Sequence, residues 1–480
     1  MHMKTKTPTQ AKTPFAIDPK PMLGATSARA GLGAVSRVVR SLGLPGQCAA
    51  NVPIRKRQRG FNSGHQVESL ILLHAAGGDC MDDMELLRQD EGLTKMLGYQ
   101  VPGPGCVRDF IELFHDPVHI KRAEAEAQRQ QRLAFIPEET ELLEGLGKVL
   151  QGNVQAIARH HPEWTVATVD QDATIIESHK RTAKMTYEGM PGYQPMLAVW
   201  AEADLILADE FRDGNVPAQM SPLECAKAAY RALPAQATEF YYRGDSACHE
   251  SNLLAWLRDE DRADGPKGPI GFAVSARSSV ELAAALRAVK EKCWITYGHD
   301  LDGTLRQWAE VDFVPGEKSE HKNTKPLRYI GLRLVKPQGE LFADGCDHHF
   351  HAVITNREKS GGDILNWHRA KAGTVEHVHD ELKNGLGGGQ LPSAKFGANA
   401  AWLRIACLAF NCISALRQEW PDESVRTAKA KRLRFAIFNV TGRVSRDRRK
   451  LQLRVAASPE WIRNLIKLFA LFPLLTQPTG

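Results

Sequence analysis

Paired cysteines are the first thing missing from this chain. Nine cysteines are spread over 480 residues with no Cys-x-x-Cys pair among them. That excludes a disulfide-stapled scaffold and the common zinc-finger spacings, and it fits free thiols in a reducing cytoplasm. Cys407 and Cys412 fall in an apolar helical stretch, where a thiol behaves as a small hydrophobe. Long apolar runs are missing too: no uninterrupted stretch reaches bilayer-spanning length, so no membrane partner is expected. Met1-His-Met-Lys-Thr-Lys-Thr7 lacks the apolar segment of a secretory leader. Leu468 to Leu475 is apolar but short and broken by Pro473, which suits the end of a packing or dimer-contact helix. Internal repeats are absent, excluding solenoid architectures. A strong global charge is also absent: the net charge is +6, so the chain is not a simple polycation.

What is present is local. The 43% hydrophobic content of a chain this long supports a large core and two or three domains. Basic residues cluster in Arg55-Lys56-Arg57-Gln58-Arg59 and, more densely, from Arg426 to Arg454. Such clusters are the electrostatic footprint of phosphate-backbone contact. Arg55, Lys56, Arg57, Arg59, Arg448, Arg449 and Lys450 are therefore candidate DNA contacts.

Pattern divides the chain into six segments. Residues 1–25 are Lys-, Thr- and Pro-rich and are expected to be disordered. Residues 26–160 read as short helices, suiting a small helical DNA-binding domain. Residues 161–290 hold strands at Thr165–Ser178, Gln194–Ala201 and Asp204–Phe211, a helix at Leu223–Leu233, then strands near Phe240 and Gly271. Residues 291–345 alternate like strands between turns and read as a β-rich insertion. Trp294 and Trp308 within it are candidates for base stacking, with a core role the favoured reading. Residues 346–420 hold a strand at His351–Asn356, a polar helix and an apolar helix at Ala398–Leu416. In 421–480, Arg432–Asn439 and Leu451–Ala457 read as strands of a basic hairpin. The run Cys346-Asp-His-His-Phe-His351 contains zinc-type ligands, but no second ligand pair accompanies it, and it is read as strand.

Four acidic residues stand out. Asp170 and Asp172 lie in a β-branched strand, on one face because side chains alternate with period two. Acidic residues are depleted in strands, so this pair needs a reason. Asp245 ends the strand Glu239-Phe-Tyr-Tyr-Arg-Gly-Asp245, where a helix cap is the plain reading and a strand-end reactive group the functional one. Glu376 sits on a helix whose Val375, Val378 and Leu382 mark the buried face. At about 100° per residue, Glu376, His379 and Lys383 fall on one stripe beside that face.

Taken in order, Asp-Ala-Thr, Arg-Gly-Asp-Ser and a helical Glu followed at plus seven by Lys resemble an insertion-sequence transposase of the Asp-Asp-Glu type, with a group 1 domain of the cut-and-paste kind. Gly192-Tyr-Gln-Pro195, Phe211-Arg-Asp-Gly-Asn215 and Phe396-Gly-Ala-Asn-Ala-Ala-Trp402 resemble further landmarks of that family. The similarity covers roughly residues 50–455. It implies an α/β fold: a ribonuclease H-like mixed sheet with flanking helices, interrupted by the β-rich insertion and preceded by the helical domain. It implies that Asp172, with Asp170 as alternate, Asp245 and Glu376 bind divalent metal, Mg²⁺ or Mn²⁺. One well-studied branch has Tyr seven residues before the Glu, Arg four before and a basic residue four after. Here those places hold Arg369, Ala372 and Asp380, and only Lys383 matches at plus seven.

The residue types suit the chemistry. Two divalent cations roughly 4 Å apart activate the attacking oxygen and stabilise the leaving one. Hard cations take carboxylate oxygens, and Lys383 could meet a phosphate as a point charge. The expected activity is metal-dependent strand cleavage and strand transfer at the terminal inverted repeats. Double-stranded DNA is the expected partner, a homodimer the expected form on DNA, and a bacterial cytoplasm or nucleoid the expected place. The alternatives are a ribonuclease H-like nuclease without strand transfer, an inactive DNA-binding protein and, on paired carboxylates alone, a glycosidase.

Overall fold

The computed structural model describes residues 24–54, 60–315, 326–447 and 450–474. The basic run Arg55, Lys56, Arg57 and Arg59, together with Arg448 and Arg449, lies outside the described residues, as do residues 1–23.

One nine-stranded sheet organises the molecule. In chain order its strands are β1 (Val166–Ala173), β2 (Met196–Trp200), β3 (Leu205–Glu210), β4 (Glu239–Gly244), β5 (Ile270–Ser275), β6 (Ile295–His299), β7 (Leu305–Val311), β8 (Arg328–Val335) and β9 (His348–Thr355). Their spatial order is β6-β7-β8-β9-β5-β4-β1-β2-β3. The first three form an antiparallel meander, and β4 and β5 run parallel to β1. The resulting 3-2-1-4-5 arrangement is that of a ribonuclease H-like sheet. β2 is apolar along its length, as a strand covered on both faces must be: every residue of Met196-Leu-Ala-Val-Trp200 is buried.

The inserted strands are not a separate body. Antiparallel pairing of β9 with β5 continues the catalytic sheet into β8, β7 and β6. Trp294 is buried, lies under the Arg333 guanidinium at 4.7 Å and packs on Phe350. Trp308 presses against Gly361 and Gly362, at the start of the helix Gly361–Lys371. Both tryptophans therefore pack the insertion, and neither offers a free ring for stacking.

The helices at the front of the chain share the core of the sheet. Helices Leu32–Ser41, Ser63–Ala76 and Glu141–Ala158 pack on Phe396–Glu419, and one continuous apolar cluster runs from Leu32 to Phe472. The helix Ser63–Ala76 stops at Gly77, whose left-handed φ of 87° closes its last turn. Phe396–Glu419 is long and apolar enough to cross a bilayer, contrary to the sequence reading that no stretch is; its apolar window is entirely buried inside the molecule. Arg404 in its middle pairs with Asp209 of β3 at 2.8 Å and with Glu139 at 2.6 Å, fixing the helix to the sheet.

Three sequence expectations change. Arg432–Asn439 is not a strand: Ala430–Leu433 is helical and Arg434–Phe438 is a π-helical turn. Its buried residues are Ala430, Leu433, Ile437 and Phe438, a helical and not an alternating pattern. The basic hairpin instead pairs Gly442–Asp447 with Lys450–Val455. Its first strand also pairs with Ala25–Ser27, so Ala25, inside the segment expected to be disordered, lies in a strand. At the end of the chain, Leu468 and Phe472 are buried and Arg37 donates to the Phe472 and Phe469 carbonyls, so the helix Pro459–Leu471 packs on Leu32–Ser41.

A Cβ on Gly361 would overlap the Trp308 ring, whereas one on Gly46, in the helix Leu44–Asn51, meets nothing. Gly361→Ala should cost about 1–3 kcal/mol of unfolding free energy by overpacking, while Gly46→Ala should add about 0.4–1 kcal/mol. Urea denaturation of both variants checks this pair of opposite signs.

Candidate active site

Strand register builds the site. In the parallel pairing of β1 with β4, Asp170 lies opposite Arg243 and Gln171 opposite Gly244. One step further, Asp172 comes beside Asp245. Period two puts Asp170 and Asp172 on one face with Arg243 and Asp245. The two neighbouring strands thus carry an ion pair followed by a pair of acids.

The ion pair is a clamp. Arg243 donates through Nε to Asp170 Oδ1 at 2.6 Å and through Nη2 to Oδ2 at 2.7 Å. Its third nitrogen donates to the Trp367 carbonyl at 2.7 Å, and its guanidinium lies 5.3 Å from the Trp367 ring centre. The Thr374 hydroxyl donates to Asp170 Oδ2 as well. The ring Nε2 of His368 pairs with the Gly244 carbonyl at 2.9 Å. The segment carrying Glu376 is therefore bolted to the ends of β1 and β4. Asp170 is fully buried with both oxygens engaged by these partners.

Asp172 and Asp245 are less enclosed. Asp172 accepts from its following amide, Ala173 N, at 3.0 Å, and its side chain keeps 21% of its exposure. Asp245 caps the 3₁₀ turn Ser246–Cys248, Oδ1 accepting from Ala247 N at 3.0 Å. The capping role expected of a strand-end Asp is thus real, and it leaves the second oxygen available. Asp245 and Glu376 line one cavity of about 590 Å³, together with Lys371 and Arg369 and with Tyr297 and Arg306 of the inserted strands. Asp172 does not line that cavity. It joins it through Lys371, whose Nζ lies 3.3 Å from Asp172 Oδ2.

Sequence reasoning missed Lys371, and backbone geometry explains why. The helix Gly361–Lys371 passes into a π-helical turn, Ala372–Glu376, and a second one follows at Glu381–Gly385. A π turn closes its hydrogen bond over five residues instead of four, so residues five apart come nearly into line. On a regular helix Lys371 and Glu376 would stand about 140° apart; here both wall the same cavity. The wide turns also break the stripe expected from even spacing. Glu376 is exposed and His379 buried. Lys383 donates to the Ile175 carbonyl at 3.4 Å and lines a different cavity, of about 810 Å³, with Arg108 and Lys180. Burial, then the charges of Lys383 and Lys371, push the His379 imidazole down to about 3, so it is neutral at physiological pH.

The departures from the well-studied branch have visible work. Arg369 pairs with Asp300 of the insertion at 3.1 Å, and Arg306 also pairs with Asp300. Asp380 pairs with Lys429, and Glu381 accepts from Ala430 N at 2.8 Å, so the C-terminal segment docks on the Glu376 helix.

Electrostatics suit a cation. Burial first, and the Asp172 charge second, raise the Asp245 carboxyl above the usual carboxylate range, with Lys371 pulling it back down. Asp172 and Asp245 at adjacent strand ends, with the exposed Glu376 on the cavity that Asp245 lines, offer hard-oxygen donors for a divalent ion. They stand further apart than a single tight chelate: among the described residues, only Asp79, Cys80 and Asp83 bring three ligand atoms within 4.8 Å of one another. That trio is surface-lying, and burial raises the Cys80 thiol, away from the thiolate a metal needs. Residues 346–351 form no such group; His349 bonds Asp344 and stacks on Phe342, and His348 pairs with Asp347.

The two strand aspartates should answer to mutation in opposite ways. Asp170→Ala leaves Arg243 buried without its carboxylate and should cost about 3–5 kcal/mol. Asp172→Ala removes a repulsive partner of Asp245 and should change stability by less than about 1 kcal/mol. Thermal or urea unfolding of the metal-free variants reads both.

Comparison with known proteins identifies a family. The family model described as transposase DDE domain group 1 matches residues 24–476. No curated protein matches the chain. A similar solved structure is a cryo-EM structure of piggyBac transposase in a synaptic complex with hairpin DNA, at 8% identity and a TM-score of 0.43, over 84% of this chain and 78% of that one. With the family model spanning nearly its whole length, the chain belongs to the transposase DDE domain group 1 family and is a DNA transposase.

Proposed function

We propose that Asp172, Asp245 and Glu376 hold divalent cations, Mg²⁺ or Mn²⁺, and that the chain uses them to cut DNA at the terminal inverted repeats of its own element and to join the cut ends to target DNA. The observation that carries this reading is the meeting of Asp172 and Asp245 at adjacent strand ends, with Glu376 on the cavity that Asp245 lines. Metal bound there would activate the attacking oxygen and stabilise the leaving one. The chain's own groups do the rest. The clamp at Arg243 holds the Glu376 segment against both strand ends, so the carboxylates are placed before substrate arrives. The engagement of Asp170 in that clamp supports Asp172 over Asp170 as the first acid of the set. Lys383, in its separate cavity, is kept for contact with DNA away from the reacting bond.

The C-terminal hairpin supports a DNA partner. Arg443 and Arg454 lie directly opposite each other across the hairpin, both exposed. Like charges in that relation oppose pairing, and a phosphate between them would relieve the cost. Arg446 and Lys450 are exposed on the same hairpin, flanking the sequence positions Arg448 and Arg449. The front helices are part of the main core, so their contribution to DNA binding has to be tested by surface substitutions and not by deletion. Joining two element ends calls for two copies of the chain on the DNA.

Single alanine substitution of Asp172, Asp245 or Glu376 should lower Mg²⁺-dependent nicking of terminal-repeat DNA by at least about a hundredfold, the usual cost of removing one electrostatic stabiliser of a transition state. DNA binding in the absence of metal should persist. The wild-type chain should also join the cut 3′ end to a second DNA; cleavage without joining would make it a nuclease instead. Near-normal nicking by any one variant removes that residue from the set.

A further inference from the structure

We propose that Lys371 is a built-in counter-ion of the metal-free site: its ammonium holds the place of a cation beside Asp172 and Asp245, and divalent metal displaces it into the cavity. The inference rests on the metal-ligand reading of the carboxylates and goes beyond it by naming what occupies the cation's place beforehand.

Three observations carry it. The Lys371 ammonium lies 3.3 Å from Asp172 Oδ2, on a side chain 10% exposed against 21% for the aspartate, so the lysine is largely enclosed while the acid stays partly solvated. Lys371 lines the same cavity as Asp245 and Glu376 because the π turn Ala372–Glu376 brings it round to their side. That turn is pinned locally, since the Thr374 hydroxyl donates both to the Lys371 carbonyl at 2.9 Å and to Asp170. The lysine backbone is thus fixed by the same clamp that fixes Glu376, while the rotatable bonds of its four-carbon stem give the ammonium a way to move.

The physical logic is a competition for oxygen atoms. Two acids at adjacent strand ends repel each other, and partial burial adds to the cost of charging both. A monovalent ammonium lowers that cost without chelating. A divalent cation brings twice the charge to the same oxygens, so the two cannot both be satisfied. Binding of metal then frees an ammonium within a cavity of about 590 Å³ that the insertion also walls, where a DNA phosphate is the natural anion for it to meet. The site carries its own placeholder, a positive charge beside the acids when metal is absent.

The signature is a split between binding and chemistry. In the full-length chain, Lys371→Met should bind Mn²⁺ at least about fivefold more tightly by titration calorimetry, because no ammonium has to leave, yet nick DNA more slowly. In the unmodified chain, acetylation of Lys371 by acetic anhydride, followed by mass spectrometry, should speed up several-fold when Mn²⁺ is added. Unchanged or weaker Mn²⁺ binding by Lys371→Met, or labelling that Mn²⁺ leaves unaltered or slows, overturns the proposal. Wild-type labelling decides the matter if the variant does not fold. Asp172→Asn separates the two layers of the argument. If it binds Mn²⁺ as the wild type does, the carboxylate reading fails; if it loses Mn²⁺ while Lys371→Met shows no tightening, only the counter-ion fails.

Discussion

The buried pair between Asp170 and Arg243 is the contact on which the site depends. Arg243 joins β1 to β4 through Asp170, and joins both to the Glu376 segment through the Trp367 carbonyl. Thr374 closes the loop from the other side. A buried ion pair adds little net stability over a packed apolar one, because desolvation offsets attraction. Its value here is positional. Three stretches far apart in sequence meet at one guanidinium, and the acids two residues beyond it, Asp172 and Asp245, inherit that register. Asp170 has both oxygens engaged by Arg243 and Thr374, whereas Asp172 and Asp245 keep part of their hydrogen-bonding capacity.

The second constraint is the widened helix. An even helix through Glu376 would turn Lys371 away from the cavity; the π turn brings it in. The helix on either side of the turn is also where the chain departs from the better-studied branch. The sequence places that branch fills with Tyr, Arg and a basic residue are used here to tie the helix to the insertion, to line the cavity and to hold the C-terminal segment, through Arg369, Ala372 and Asp380 respectively. The insertion, joined edge-on to β5 through β9, then forms a wall of the same cavity and not a detached arm.

Much of this was legible in the sequence because it rests on period and punctuation. β-Branched content marked a strand over Thr165–Ser178, which the structure ends at Ala173, and period two placed Asp170 and Asp172 on one face; the strand end marked Asp245; apolar spacing marked the buried side of the Glu376 helix. The choice between Asp170 and Asp172 was not legible from β1 alone, since period two treats them alike. It lies in the matching of Asp-x-Asp on one strand with Arg-x-Asp on its parallel neighbour, which needs the register. Lys371 was hidden because a π turn has no clear signature in residue type. Arg432–Asn439 misled because the apolar run Phe435–Phe438 suits a buried strand or a helix equally, and docking against the Glu376 helix decided it. The separateness of the front helices was an inference from spacing, whereas their shared core with Phe396–Glu419 is a matter of packing.

The central claim is that Asp172, Asp245 and Glu376 come together around divalent metal. The most direct test replaces that metal with Fe²⁺ and generates hydroxyl radicals with ascorbate and peroxide, which cut the backbone only near the bound ion. The account predicts three clusters of cuts, around residues 172, 245 and 376, all suppressed by added Mg²⁺. Cuts confined to other segments, or cuts around residue 79 instead of these three, would contradict it.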